Sequence, residues 1–196
     1  MILQNANMIL PIRFYGDPIL RQACKPVHNI TPEIIALAQD MLETMYAAGA
    51  VGLAAPQVGQ LVNLIVLDVR SSKRPSSLWI NGNAASLDSL LPLALVNVMV
   101  KSGPSVECAP ETCKSIPGIR VDIERPEAAE VLGTDTDGRT ISFQCGGLLA
   151  RAVHHEHDHL NGILFTDRMS ETVFASVRDH LQMLERETHA RLSRSV

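Results

Sequence analysis

His155-Glu156-His157-Asp158-His159 decides how this chain is read. The five residues fall in a segment, 148–160, where Leu149, Ala152, Val153 and Leu160 recur at helical spacing, with Gly146-Gly147 before it and Asn161-Gly162 after it. A strand breaker in front and a helix stop behind bound one helix. Residues four apart on a helix share a face, one turn apart, so His155 and His159 can present two imidazoles to one point. Glu156 stands beside them, where it can take a proton from a water that an ion activates and later return it to a leaving group. These are the parts of metal-assisted hydrolysis. The competing reading is chance: four of the seven histidines fall in this cluster, and a polar helix face can carry H-E-x-x-H without binding anything. His154 and His157 point elsewhere on the helical wheel and read as neighbours of the site or as surface groups.

Around that helix, 196 residues with 46% apolar and 19% charged side chains suffice for one well-cored domain and are few for two. A formal net charge of −4 with both signs mixed gives no reason to expect direct nucleic-acid binding or a membrane surface. No apolar run reaches the length of a membrane span and no secretory signal is read. The four cysteines (Cys24, Cys108, Cys113, Cys145) have no framework spacing. A reducing cytoplasm is the expected compartment, and there a cysteine is free to act as a thiolate ligand.

Upstream of the helix, 128–132 and 140–145 flank Asp135-Thr136-Asp137-Gly138, a hairpin signal, so antiparallel strands precede it. Residues 61–69, interrupted at Asn63, and 95–100 read as further strands. Thr31-Pro32-Glu33 opens a helix to about Ala48, with Thr31 as its cap and Ile34, Ala38, Met41, Leu42 and Met45 on its core face. Ser170-Glu171-Thr172 opens a last helix whose Val173, Val177, Leu181, Leu184 and Leu192 fall near one side. Its mildly basic end (Arg186, Arg191, Arg194) is explained as well by solvation as by binding. Ile163-Leu164-Phe165 reads as a short strand. Residues 71–94, with the only tryptophan, Trp79, read as a surface insertion holding a short hairpin, and 101–118 as an irregular, ordered loop. The expected class is α+β, with antiparallel sheets packed around a central metal-binding helix and a C-terminal helix. Residues 1–170 form the expected catalytic domain, with 1–7 a possible N-terminal extension and 171–196 a helix and tail of the same domain.

Two more stretches bear on chemistry. Gly49 to Gln57 is a run of small residues ending in Pro56 and a lone amide, either a ligand-facing loop or a tight helix-to-strand connection. Glu111-Thr112-Cys113-Lys114-Ser115 lies in the proline-rich segment, where Cys113 and Cys108 compete for any ligand role and either can be a small buried hydrophobe.

With the three stretches together, the chain from about Met8 to Ser170 resembles the peptide deformylases. That family carries G-x-G-x-A-A-x-Q, E-G-C-x-S and H-E-x-D-H in this order; here they stand as Ala50-Val51-Gly52-Leu53-Ala54-Ala55-Pro56-Gln57, Glu111-Thr112-Cys113-Lys114-Ser115 and His155-Glu156-His157-Asp158-His159. The resemblance implies metal-dependent removal of the formyl group from the N-terminal methionine of new polypeptides in a bacterial cytoplasm. It implies Cys113, His155 and His159 as metal ligands, Glu156 as general acid and base, and Gln57 with the backbone N–H of Lys114 as donors to the formyl oxygen. Gly52, Val51, Glu111 and Arg120 are implied substrate contacts, and Asp158 a support for a ligand histidine. Ferrous iron is the implied metal, with zinc or nickel as replacements. The implied partners are N-formylmethionyl nascent peptides, with ribosome contact by the C-terminal helix.

The departures are Ala50 for the first glycine, Thr112 for the glycine before the cysteine, Lys114 for a leucine and His154 for a glutamine. None removes a ligand, but Lys114 brings an ammonium toward a pocket that takes an apolar side chain. The alternative is therefore a deformylase-like hydrolase whose specificity has shifted to another N-acyl group or been lost. A structural metal site would leave Glu156 without a purpose. A zincin-type protease lacks its further downstream ligand.

Overall fold

Pro32 at the first turn and Glu33 at the positive end of the dipole start α1, Pro32–Ala47; Thr31 precedes it in extended backbone without a side-chain cap bond. A computed structural model describes residues 8–194, so the expected extension at 1–7 lies outside the described residues. After α1 come β1 (Gly52–Ala54), a 3-10 turn at Ala55–Val58, β2 (Leu64–Leu67), β3 (Ser76–Ile80), β4 (Asn83–Ala84) and β5 (Leu93–Ser102). Then follow β6 (Val106–Cys113), β7 (Ile116–Pro126), β8 (Ala128–Thr134), β9 (Thr140–Gly147), α2 (Leu148–Leu160) and α3 (Glu171–Leu192).

Seven strands pair antiparallel in the order β1-β2-β5-β8-β9-β3-β4, and β6 with β7 makes a separate two-stranded sheet. The expected α+β class, with a central H-E-x-x-H helix and a C-terminal helix, is the architecture found. The Asp137-Gly138 turn joins β8 to β9 as its sequence predicts, with Gly138 at φ 83°. Where β9 passes directly into α2, Gly147 takes φ 65° and a Cβ there would lie 2.4 Å from the Pro75 carbonyl oxygen, so only glycine fits the corner.

Three expectations need correction. Residues 101–118 are not a loop: β6 and the start of β7 run through them, with Ala109, Glu111 and Cys113 facing inward and Cys108, Pro110 and Thr112 outward. Residues 71–94 do form a hairpin, but β3 joins the main sheet against β9 and buries Leu78 in its core, so the segment is more than a surface insertion. Ile163-Leu164-Phe165 is not a strand, because the Asp167 carboxylate accepts the Leu164 N–H at 2.9 Å and starts a 3-10 turn, Phe165–Arg168.

Apolar packing holds α2 in place. Leu149, Ala150 and Val153 pack with Ile65, Leu67, Leu95, Val131 and Phe143 of the large sheet, and α1 covers the other side of β1 and β2 through Ala38, Met41 and Met45. Leu181 and Leu184 of α3 dock with Ile116, Ile119 and Ile123 of β7, in the same cluster as Cys113. Each fully buried side chain of this size contributes about 1.5–3 kcal/mol. Twelve of the thirteen residues of α2 are buried, His157 being the exception. A helix this deep with so many polar groups is tolerable only where each is paired or holds something.

Candidate metal centre

The inward alternation of β6 aims Cys113 at the face of α2 that carries His155 and His159. Cys113 Sγ lies 3.3 Å from His159 Nε2, and the ligand atoms of Cys113, His155 and His159 all fall within 4.8 Å of one another. The His155 and His159 rings meet edge to face with centroids 5.0 Å apart. A thiolate and two imidazoles, buried and converging, form the donor set of a catalytic ion with bonds of about 2.0–2.3 Å and an open fourth position. The residues fit a divalent transition metal. Cys108, the competing cysteine, is exposed.

His155 is oriented by a neighbour, whereas the buried Nδ1 of His159 has no hydrogen-bond partner among the described residues. His155 Nδ1 donates to Glu111 Oε1 at 2.6 Å, which frees Nε2 for an ion. Glu111 is also bound by Arg125, through Nη2 at 2.7 Å and Nε at 3.1 Å, and by Arg151 Nη1 at 3.1 Å. Burial opposes its ionisation, but the hydrogen bonds from His155 and Arg125 outweigh that and hold its carboxyl well below the usual range. Arg125 reaches on to Asp158, which the exposed Arg168 also binds, so a chain of charges, buried from Glu111 to Asp158, runs behind the cluster. Burial first, and then the charges around it, push His159 well below the ordinary histidine value, which favours the neutral form able to ligate an ion.

Glu156 is buried beside the cluster, and burial raises its carboxyl to about 7. Its Oε2 has no hydrogen-bond partner. Gly52 of β1 passes so close that a Cβ would lie 2.5 Å from Glu156 Oε1. Gln57 is held with Oε1 accepting the Ala54 N–H at 2.8 Å, which turns its amide N–H₂ toward Cys113 Sγ at 3.6 Å and Ser115 Oγ at 3.3 Å.

A cavity of about 190 Å³ opens at this point, lined by Val51, Gly52, Gln57, Glu111, Cys113, Lys114, Leu148, Ala152, His155 and Glu156 among others. Of the residues expected at the site, Arg120 is not brought in: it alternates outward on β7 with Asp122 and Glu124 and is exposed. Glu111 lines the cavity, yet its oxygens are taken by His155, Arg125 and Arg151, so its contacts are those of a support rather than of a substrate contact. Asp158 is buried and bound by Arg125 and Arg168 rather than by a histidine of the cluster. Arg125, Arg151, Arg168 and Ser115 went unpredicted. Arg125 shares β7 parity with Ile119 and Ile123, and a charge on that inward face was the signal that could have found it.

A buried Cys-His-His cluster with a carboxyl beside it, on a central helix of an α+β fold, defines a metal-dependent hydrolase class. The family model described as polypeptide deformylase matches residues 9–174. The peptide deformylase of Methylacidiphilum infernorum is 40% identical over 179 residues, covering 91% of this chain and 94% of its own. A solved peptide deformylase from Synechococcus elongatus, in complex with actinonin, is 38% identical with a TM-score of 0.72, covering 92% of this chain and 86% of that one. Peptide deformylase 1B of Arabidopsis thaliana superposes with a TM-score of 0.80 at 32% identity, over 93% of each chain. The chain belongs to the polypeptide deformylase family.

Proposed function

We propose that this protein is a peptide deformylase, hydrolysing the N-formyl group from the N-terminal methionine of newly made polypeptides to release formate and a free amine. The observation that carries this reading is Glu156, a buried carboxyl raised to about 7 and set against Gly52 beside the Cys113, His155 and His159 cluster. A carboxyl tuned near neutral pH can both accept and return a proton.

Cys113, His155 and His159 would hold the ion, which when bound supplies Lewis acidity and an activated water at neutral pH. Ferrous iron is the proposed metal in the cell, with zinc and nickel as replacements. Glu156 takes the proton of the attacking water and delivers it to the departing amine nitrogen. The amide N–H₂ of Gln57 and the backbone N–H of Lys114 donate to the formyl oxygen as negative charge builds there. Val51, Leu148 and Ala152 give the methionine side chain an apolar wall. β1 is an edge of the large sheet and β6 pairs only with β7, so the cavity lies between two strand edges that can hydrogen-bond an extended peptide.

Glu111, Arg125 and Asp158 are positioning residues in this reading. The catalytic unit and α3 act as one domain, because α3 shares an apolar cluster with β7. Arg178 and Arg186 lie on the exposed side of α3 and Arg194 is exposed just past its end, which supports contact with the ribosome in a bacterial cytoplasm. No helix among the described residues is long and apolar enough to cross a membrane. Formate release from formyl-Met-Ala-Ser and acetate release from acetyl-Met-Ala-Ser by metal-loaded protein test the substrate. The proposal expects the formyl peptide to be turned over and the acetyl peptide to be left; the reverse preference would move the function to another N-acyl group.

A further inference from the structure

Lys114 stands at the turn between β6 and β7, directly after Cys113, and lines the cavity while remaining half-exposed. The other charged side chains of that cavity are either engaged or, in the case of Glu156, buried beside the histidines. Arg151 donates to Glu111 and to the carbonyls of Glu107, Ala109 and Ile123. Arg74 donates to the Pro110 carbonyl and lies 3.9 Å from a Glu107 carboxylate oxygen. Glu111 is saturated by His155, Arg125 and Arg151, and Glu156 is buried at the inner end. Among the described residues, no carboxylate lies within ion-pairing distance of Lys114. A lysine in this position lays its methylene stem along apolar wall and keeps its ammonium at the water boundary.

We infer that Lys114 makes this site select peptides that carry a carboxylate in the first or second residue after the methionine. This rests on the proposed deformylase reading. With the methionine side chain in the cavity, the following residues leave through the mouth where the unpaired ammonium stands. An acidic side chain there meets an uncompensated cation without giving up any existing pair, whereas a basic one meets repulsion. Part of the gain comes in encounter, because a charge at a cleft mouth steers an oppositely charged ligand.

The test compares metal-loaded wild type with Lys114→Leu and Lys114→Glu, which all keep the backbone N–H of position 114. The quantity read is the kcat/KM for formyl-Met-Asp-Ser divided by that for formyl-Met-Ala-Ser, alongside the calorimetric Kd ratio of the deformylated peptides Met-Asp-Ser and Met-Ala-Ser. Wild type should favour the acidic peptide about three- to fivefold at low salt, the range of a partly exposed ion pair, and less at high salt. Lys114→Leu should bring both ratios to about one, and Lys114→Glu should invert them. Ratios that stay the same in Lys114→Leu, or that already equal one in wild type, would overturn the inference. If no formyl peptide is turned over, the deformylase reading fails, and the Kd ratios still decide the role of Lys114.

Discussion

Glu111 Oε1 lies 2.6 Å from His155 Nδ1, and through that contact a strand of the small sheet sets the direction of a candidate ligand on the central helix. The same carboxylate balances Arg125 and Arg151, so one residue both orients an imidazole and neutralises two buried guanidinium groups. Removing it therefore does two separable things.

Glu111→Ala leaves Arg125 and Arg151 buried without their shared anion and should cost about 3–5 kcal/mol of stability. Glu111→Gln keeps the shape and an acceptor for His155, and should lose metal affinity by about 10- to 100-fold with a smaller loss of stability. Denaturant melts and metal titrations of the two variants check this. Equal metal affinity in Glu111→Gln and wild type would show that the contact does not tune the site.

Gly52→Ala places a methyl against the Glu156 carboxyl, where 2.5 Å is available. The expected outcome is a fall in kcat of about 100-fold, because a displaced acid-base group loses alignment, with bound metal unchanged. Metal analysis beside the rate separates this from a damaged ligand set.

Stability of the metal-free protein should respond to pH with two opposite slopes. Glu111 has a folded pKa held below its unfolded value, so its contribution is present above about pH 4.3 and is lost as pH falls below that. Glu156 has a folded pKa raised to about 7, so its contribution is present at acid pH and is lost as pH rises through 7. Thermal melts should show Glu156→Gln flattening the slope near neutrality and Glu111→Gln flattening the acid slope.

Thiol labelling should distinguish the four cysteines. Cys108 is exposed and should react first, whereas burial raises Cys145 to about 12 and Cys24 to about 11, making both slow. Metal-loaded protein should show one fast thiol, and chelation should release a second that Cys113→Ala abolishes. A second thiol that reacts equally before chelation would place the ion elsewhere.

The central helix, the hairpin before it and the two flanking helices were legible because their boundaries are written in local chemistry: Gly146-Gly147, Asn161-Gly162, Asp137-Gly138, Pro32 and Ser170. The candidate cluster of Cys113, His155 and His159 and the carboxyl of Glu156 beside it were legible as well, the helix pair from its spacing and Cys113 from the resemblance. β6 was not, because its inward residues Glu111 and Cys113 are not apolar and the period-two pattern carries chemistry instead of hydrophobicity. Arg120, which the resemblance implies as a substrate contact, lies on the outward parity of β7 and is exposed, and the same alternation brings Arg125 inward. The supporting network of Arg125, Arg151 and Asp158 joins residues from β7 and α2, and no local pattern contains such a pairing.

The most direct measurement is formate release from formyl-Met-Ala-Ser by anaerobically purified, iron-loaded wild type and by Glu156→Gln, with bound metal quantified in both. The account predicts turnover by wild type and a loss of at least about 100-fold in Glu156→Gln at equal metal content. Equal rates in the two proteins, or metal bound by wild type with no formate released, would contradict it.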